Sequence, residues 1–226
     1  MTTHTEEMAE FAEHNQDENP RAPPGDAWPP AGEAGGARVG DARERPREVY
    51  SFGQNSYGEL GHGDTIERHA PTLVAFCTGR GVVQVAAGNE HTVVLCDDGA
   101  VYCCGYNDSG QCAIGTTGRV PTLRKVDALA GRRIVHINSA NGCEHFAAVA
   151  DDGELFTCGY NARGQLGHGI TAHVSAPRLV EALFGRRVRL VACSYYHTVV
   201  ATEADGVFGF GRNDFGQLGL GDTADK

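Results

Sequence analysis

A repeat of about 53 residues runs through most of this 226-residue chain and constrains its fold more than any other feature. A segment of the form Gly-x-Asn-x-x-Gly-Gln/Glu occurs four times, and its first glycine lies at Gly53, Gly105, Gly159 and Gly211, in steps of 52, 54 and 52. Three further columns keep this phase: His91, His145 and His197; the Asp-Gly pairs beginning at Asp98, Asp152 and Asp205; and Pro71, Pro121 and Pro177. Four columns in one phase indicate tandem copies of one structural unit.

The sequence of each unit predicts four short strands. The apolar and β-branched runs Thr92–Cys96 and Ala100–Cys104 flank an Asp-Gly pair, which predicts a β-hairpin with a type I′ turn. The glycine-rich segment follows as a loop, and then a proline-led extended piece such as Pro71–Val74 and a short strand such as Val82–Val85. Helical patterning is confined to the vicinity of Leu129 and of residues 182–184.

Four antiparallel strands per repeat with glycine-rich connections are typical of a propeller blade. A single blade cannot bury both of its faces, whereas stacked blades can. We therefore predict an all-β fold, a partial β-propeller of four-stranded antiparallel blades that occupies residues 48–226. Residues 49–226 hold about 3.4 units of this length.

The first 47 residues differ from the rest in composition. They contain six of the nine prolines, and residues 1–48 carry 11 acidic against 5 basic residues, which is −6 of the net charge of −10. Such a segment cannot bury enough apolar surface to offset its ordering entropy. Residues 1–47 are therefore predicted to be a disordered, acidic, proline-rich tail.

Charge and cysteine usage exclude several classes of protein. The net charge of −10 argues against nucleic-acid or anionic-membrane binding. No stretch approaches about 20 apolar residues, and the acidic N-terminus has no apolar signal region, so we expect an intracellular protein of the cytoplasm or nucleus. The eight cysteines form no CxxC pair. We interpret them as reduced thiols that fill the core, with no metal and no cofactor.

Catalytic residues are not indicated. Because His91, His145 and His197 occupy one column, each is expected in a different blade in a structural role. No phosphate-binding glycine motif and no aperiodic nucleophile–base set occurs, so the chain is not expected to be an enzyme. One feature points to binding, a column of arginines after a glycine. These are either solvated turn residues or a partner-binding rim: Arg80, Arg132, Arg133, Arg186, Arg187 and Arg189.

The segment from Gly88 to Gln111 resembles the repeat of the regulator of chromosome condensation family. His91, Gly99 and Asn107 stand at fixed positions of that repeat. Residues 142–165 resemble it as well, and residues 194–217 do so less fully. The resemblance implies a seven-bladed β-propeller, which would need about 370 residues at this repeat length. We therefore expect about three to four of the seven blades, a fragment or half of an assembly, with open blade edges that self-associate.

The resemblance also implies candidate functions. The first is a protein-interaction propeller, a scaffold or regulatory module with a protein partner, free-standing or part of a larger protein. An alternative is guanine-nucleotide exchange on a small Ras-like GTPase, which is the founding activity of the family; units of 52 to 54 residues leave no room for an inserted wedge. Another is the substrate-recognition part of a ubiquitin ligase, since members of the family occur fused to such domains.

Overall fold

The computed structural model describes residues 48–140 and 142–226, so the predicted tail of residues 1–47 lies outside the described residues. This part of the chain contains thirteen β-strands and three single turns of 3-10 helix. The strands are β1 (Tyr50–Gly53), β2 (Arg68–Leu73), β3 (Val82–Ala87), β4 (His91–Cys96), β5 (Val101–Gly105), β6 (Val120–Lys125), β7 (Ile134–Asn138), β8 (His145–Ala150), β9 (Leu155–Gly159), β10 (Val174–Leu179), β11 (Val188–Cys193), β12 (His197–Thr202) and β13 (Val207–Gly211). The 3-10 turns are Ala75–Cys77, Asp127–Leu129 and Glu181–Leu183. Among these residues, no helix has the length and apolar character needed to cross a bilayer.

The strands form four antiparallel sheets in which neighbours in the chain are neighbours in the sheet. The sheets are β1-β2, β3-β4-β5-β6, β7-β8-β9-β10 and β11-β12-β13. Two complete four-stranded blades thus stand between a two-stranded and a three-stranded sheet, which confirms the all-β partial propeller. Beside β13, the backbone of Lys226 exchanges two hydrogen bonds of 2.8 and 3.0 Å with Gly211.

The predicted hairpins are present, but the predicted type I′ turn is wrong. In the β4–β5 hairpin the Gly99 N–H donates to the Cys96 carbonyl at 3.0 Å, so the turn is centred on Asp97 and Asp98. Only Gly99 has a positive φ, of 83°, whereas a type I′ turn requires it at two central residues. The turn is therefore a longer one closed by a left-handed glycine, and the Asp-Gly pair supplies its second half. The β8–β9 hairpin repeats this arrangement at Gly153.

The histidine and glycine columns meet across each hairpin. The register pairs His91 with Gly105, His145 with Gly159 and His197 with Gly211. These glycines have φ values of 111, 108 and 102°. A Cβ on Gly159 would lie 2.6 Å from the Glu144 carbonyl oxygen, so the pairing leaves no room for a side chain.

The core lies between the sheets. Along β4, Val93 and Leu95 pack in a cluster with Ile137 and Phe146 of the next sheet. The alternate residues Val94 and Cys96 belong to a second cluster with the preceding sheet, as the two-residue period of a strand requires. Each complete sheet thus buries both faces against its neighbours, as the sequence analysis predicts for stacked blades.

The glycine-rich loops are closed by a buried asparagine in each unit. Asn55, Asn107, Asn161 and Asn213 are all 0% exposed. In the third unit, Nδ2 of Asn161 donates to the Ile170 and Ala172 carbonyls at 2.8 and 3.0 Å, while its Oδ1 accepts the Leu166 N–H at 2.9 Å. One side chain thereby satisfies three backbone groups and fixes the loop that separates the second hairpin strand from the outer strand.

Candidate interaction surfaces

The six predicted rim arginines are all exposed and lie at one end of the strands. They precede or begin β3, β7 and β11, at the end of the sheets where the turns of the β4–β5 and β8–β9 hairpins lie. We call this set, Arg80, Arg132, Arg133, Arg186, Arg187 and Arg189, the arginine rim. The structure therefore places the predicted residues on one rim of neighbouring blades.

Carboxylates from the hairpin turns lie against most of the arginine rim. The ion pairs are Arg132 with Asp152 (3.3 Å) and Glu154 (2.7 Å), Arg186 with Asp205 (3.4 Å), Arg187 with Glu203 (2.8 Å) and Arg189 with Glu203 (3.2 Å). Within residues 48–140 and 142–226, Arg80 and Arg133 make no ion pair. The rim therefore presents mixed charge, and exposed pairs of this kind contribute about 0–1 kcal/mol each.

One arginine of each unit also lies over an aromatic ring of the same unit. The pairs are Arg80 with Tyr102 (5.7 Å from the ring centroid), Arg132 with Phe156 (5.5 Å) and Arg186 with Phe208 (4.9 Å). Arg80 also lies over Phe76 at 4.1 Å. Because the same contact recurs, these three arginines have a structural role in each blade as well as an exposed position.

The opposite end of the strands carries a row of tyrosines that the sequence analysis did not identify. We call Tyr57, Tyr106, Tyr160, Tyr195 and Tyr196 the tyrosine face. Tyr57 and Tyr106 lie edge to face at 4.9 Å, as do Tyr195 and Tyr196 at 4.4 Å, and Tyr160 lies 5.8 Å from Tyr196. Tyr106 and Tyr160 each follow the first glycine of a loop, which was the available sequence signal.

Carboxylates accompany the tyrosine face. The pKa of Glu90 is raised, first by burial and then by the nearby charges of Glu59 and Glu144. The pKa of Tyr106 is raised by burial and by Asp108. Two guanidinium groups lie at this end as well, that of Arg119 over Tyr57 at 5.3 Å and that of Arg212 over Tyr196 at 5.7 Å. This end of the blades therefore combines aromatic surface with charges of both signs.

The three column histidines lie in three different sheets, at the starts of β4, β8 and β12. His91 Nε2 lies 3.0 Å from Ser139 Oγ, and His145 Nε2 lies 2.7 Å from Thr198 Oγ1. His91 and His145 thus each contact a hydroxyl of the next unit along the chain. Burial lowers the pKa of His91 and of His197.

All eight cysteines are buried, as the sequence analysis predicts for residues that fill the core. Burial raises the pKa of Cys104 and holds that of Cys158 well above its usual range. Cys143 differs from these two. Burial opposes its ionisation, but hydrogen bonds from Cys193 and His145, with the charge of His145, lower the pKa of its thiol.

Comparison with known proteins agrees with this geometry. A model described as the regulator of chromosome condensation (RCC1) repeat matches residues 48–95, 98–149 and 152–201. A second model of the same repeat matches residues 82–111 and 188–217. The chain belongs to the RCC1 repeat family.

Several relatives share more than a third of their aligned residues with this RCC1 repeat chain. The ultraviolet-B receptor UVR8 of Arabidopsis thaliana is 37% identical over 179 residues, which are 79% of this chain and 40% of UVR8. The mouse probable E3 ubiquitin-protein ligase HERC4 is 38% identical over 189 residues, 82% of this chain and 18% of HERC4. The chain therefore spans well under half the length of these relatives.

Solved structures show the same fold. Human WBSCR16 superposes with a TM-score of 0.65 at 29% identity, covering 75% of this chain and 44% of that protein. Prp20p of Saccharomyces cerevisiae superposes with a TM-score of 0.67 at 20% identity, covering 79% of this chain and 44% of that protein. At that identity, Prp20p supports the fold alone.

Proposed function

We propose that this chain is a protein-interaction module of the RCC1 type and that the tyrosine face makes its principal contact. The carrying observation is the row of five tyrosines across neighbouring blades, with carboxylates beside it. Tyrosine contributes large contact area at low entropic cost and is enriched among residues that dominate binding energy. The partner surface that fits this chemistry contains grooves for aromatic rings and, opposite Glu90, a basic group.

The arginine rim is the second proposed contact surface. Four of its six guanidinium groups lie against carboxylates of the turns, so an acidic partner surface would compete with residues such as Asp152 and Glu203 for them. Arg133 has no such competitor among the described residues. We expect Arg133 to contribute most to binding at this rim.

Two variants with matched exposure test the principal contact. Tyr195 is 47% exposed on the tyrosine face, and Tyr50 is 51% exposed on the first sheet, away from it. Tyr195→Ala should lower the affinity for the bound partner by about 30-fold, the effect of a 2 kcal/mol contact, while Tyr50→Ala leaves it unchanged. Partners recovered on the immobilised full chain are identified by mass spectrometry and titrated against each variant. Equal affinities of Tyr195→Ala and the unaltered chain would contradict the assignment.

A ubiquitin-ligase context is an alternative supported by the HERC relatives. Human E3 ubiquitin-protein ligase HERC2 is 39% identical over 151 residues, 67% of this chain and 3% of HERC2. In this alternative the repeats select a substrate and a further domain performs the transfer. Ubiquitylated proteins should then accumulate among the partners only when the tyrosine face is intact.

Nucleotide exchange on a small Ras-like GTPase is the remaining alternative. Prp20p of Saccharomyces cerevisiae binds Gsp1p and histones. An exchange factor acts by favouring the nucleotide-free GTPase, which requires an element that reaches the nucleotide. Release of labelled GDP from a panel of Ras-like GTPases, with and without this chain, decides the question, and an accelerated release would favour exchange over a scaffold.

A further inference from the structure

Two cysteines and a histidine converge between the third and fourth sheets. Cys143 lies two residues before the start of β8, His145 is the first residue of β8, and Cys193 is the last residue of β11. The Sγ atoms and a ring nitrogen of His145 all lie within 4.8 Å of one another, and the three side chains are buried. The sequence analysis assigned both cysteines to core filling, and their proximity gives them a different chemistry.

Neither cysteine belongs to the repeat pattern. Two residues before the column histidine, the units carry Asn89, Cys143 and Tyr195. Four residues before it, they carry Ala87, Asn141 and Cys193. The blade fold therefore forms without sulfur at either position. The two thiols are departures specific to these two units, and the packing of β11 against β8 brings them together.

Hydrogen bonds fix which nitrogen of His145 faces the sulfur. The Thr198 hydroxyl donates to the Gln165 carbonyl at 2.8 Å, so its oxygen must accept from His145 Nε2 at 2.7 Å. Nε2 therefore carries a hydrogen. The other ring nitrogen, Nδ1, faces Cys143 Sγ at 3.1 Å. A histidine whose second nitrogen donates to a fixed oxygen is the usual arrangement of a metal ligand.

The donor set and its spacing suit zinc. Zn–S bonds of about 2.3 Å and Zn–N bonds of about 2.0 Å in a tetrahedron place two sulfurs about 3.8 Å apart and sulfur and nitrogen about 3.5 Å apart. In the structure, Cys143 Sγ lies 3.1 Å from His145 Nδ1, and no two of the three ligand atoms are more than 4.8 Å apart. Small rotations of the side chains would bring these separations to the values of a zinc site. Two thiolates also balance the charge of Zn²⁺, so no net charge is buried. The three side chains supply three of the four ligands of a tetrahedral zinc site. The carbonyl oxygen of Asn138 is the nearest oxygen acceptor of Cys193 Sγ, at 3.6 Å.

We propose that Cys143, His145 and Cys193 bind a zinc ion that links the third sheet to the fourth. Binding replaces the protons of the two thiols, which are released to solvent, and involves no change of oxidation state. Because its ligands come from two sheets, the metal stabilises their packing. None of the three ligands belongs to the tyrosine face or to the arginine rim, although Tyr195 of the tyrosine face lies two residues after Cys193.

The test uses substitutions taken from the repeat itself. Cys143→Asn and Cys193→Ala introduce residues that the equivalent positions Asn89 and Ala87 carry. The control is Cys96→Ala, at a buried cysteine outside the cluster whose equivalent in the next unit is Ala150. Each untagged full chain is reduced, loaded with excess zinc, gel-filtered and analysed for zinc by mass spectrometry.

The unaltered chain and Cys96→Ala should each retain about one zinc per chain, and both cluster variants should lose at least about 90% of it. A chelator should lower the melting temperature of the first two proteins and leave that of the cluster variants unchanged. Cobalt added to the unaltered chain should give the sulfur-to-metal charge-transfer absorption of thiolate ligands, which does not depend on any variant folding.

Three results would overturn the proposal. The first is an unaltered chain that retains no zinc and shows no thiolate–cobalt absorption. The second is equal zinc retention by both cluster variants. The third is a peptide map of the oxidised full chain in which Cys143 and Cys193 are joined by a disulfide that zinc loading under reducing conditions does not replace.

Discussion

Removing the Asn161 side chain tests how the glycine-rich loops are held. Asn161→Ala leaves the Leu166 N–H and the Ile170 and Ala172 carbonyls without their partner at a fully buried position. Three hydrogen bonds at about 1 kcal/mol each give a loss of about 3 kcal/mol, and the unpaired Leu166 N–H, which is buried, adds to it. For a domain of about 5–15 kcal/mol, that is a large share of the free energy of unfolding.

Urea unfolding of the full chain, followed by circular dichroism, measures this loss. With an m value of about 2 kcal/mol/M, the midpoint should fall by about 1.5 M. Ala162→Ser, at the exposed neighbouring residue, is the control and should change stability by less than about 0.5 kcal/mol. A loss below about 1 kcal/mol for Asn161→Ala would refute the role assigned to the asparagine column.

Two further variants probe the repeat columns. Gly159→Ala should lower the free energy of unfolding in urea by more than about 2 kcal/mol, because φ is 108° and a Cβ would meet the Glu144 carbonyl. The control Gly169→Ala, at a φ of 70° in open space, should lower it by less. Equal losses for the two variants would contradict the close approach at Gly159. Burial lowers the pKa of His168, so the unfolded chain binds the proton more readily and stability falls as the pH drops below about 6.5. His168→Leu, the residue found at Leu220 in the last unit, should therefore lose less melting temperature than the unaltered chain between about pH 7.5 and about pH 5.5. An unchanged pH profile would show that His168 does not titrate on unfolding.

The repeat columns made the fold predictable. The Asp-Gly pair beginning at Asp98 located a hairpin. His91 and Gly105 recur with the same spacing in each unit, which is consistent with their pairing across that hairpin. The turn type was predicted wrongly because a dipeptide does not reveal that Asp97 also belongs to the turn. Local pattern thus predicts where strands reverse, while the hydrogen bonds across the hairpin decide how.

The interaction surfaces were only partly predictable. The position of Arg132 followed from its column, but its ion pairs with Asp152 and Glu154 depend on a fold that brings residues about 20 apart to one turn. The tyrosines are dispersed in sequence and meet only because the loops of neighbouring blades share one end of the sheets. For Cys143 and Cys193, 50 residues apart, no spacing rule applied, since the contact arises from the packing of two sheets.

The exchange rate of one backbone amide tests the packing of sheet against sheet most directly. Ile137 lies on β7, and Gln84 lies on β3 of the neighbouring sheet. The Ile137 N–H donates to Gln84 Oε1 at 3.0 Å, and Gln84 Nε2 donates to the Ile137 carbonyl at 2.7 Å. In Gln84→Ala, hydrogen exchange at Ile137 should accelerate at least about tenfold while the amides that pair β8 with β9 remain protected. Unchanged exchange at Ile137 would contradict the stacked arrangement of the blades.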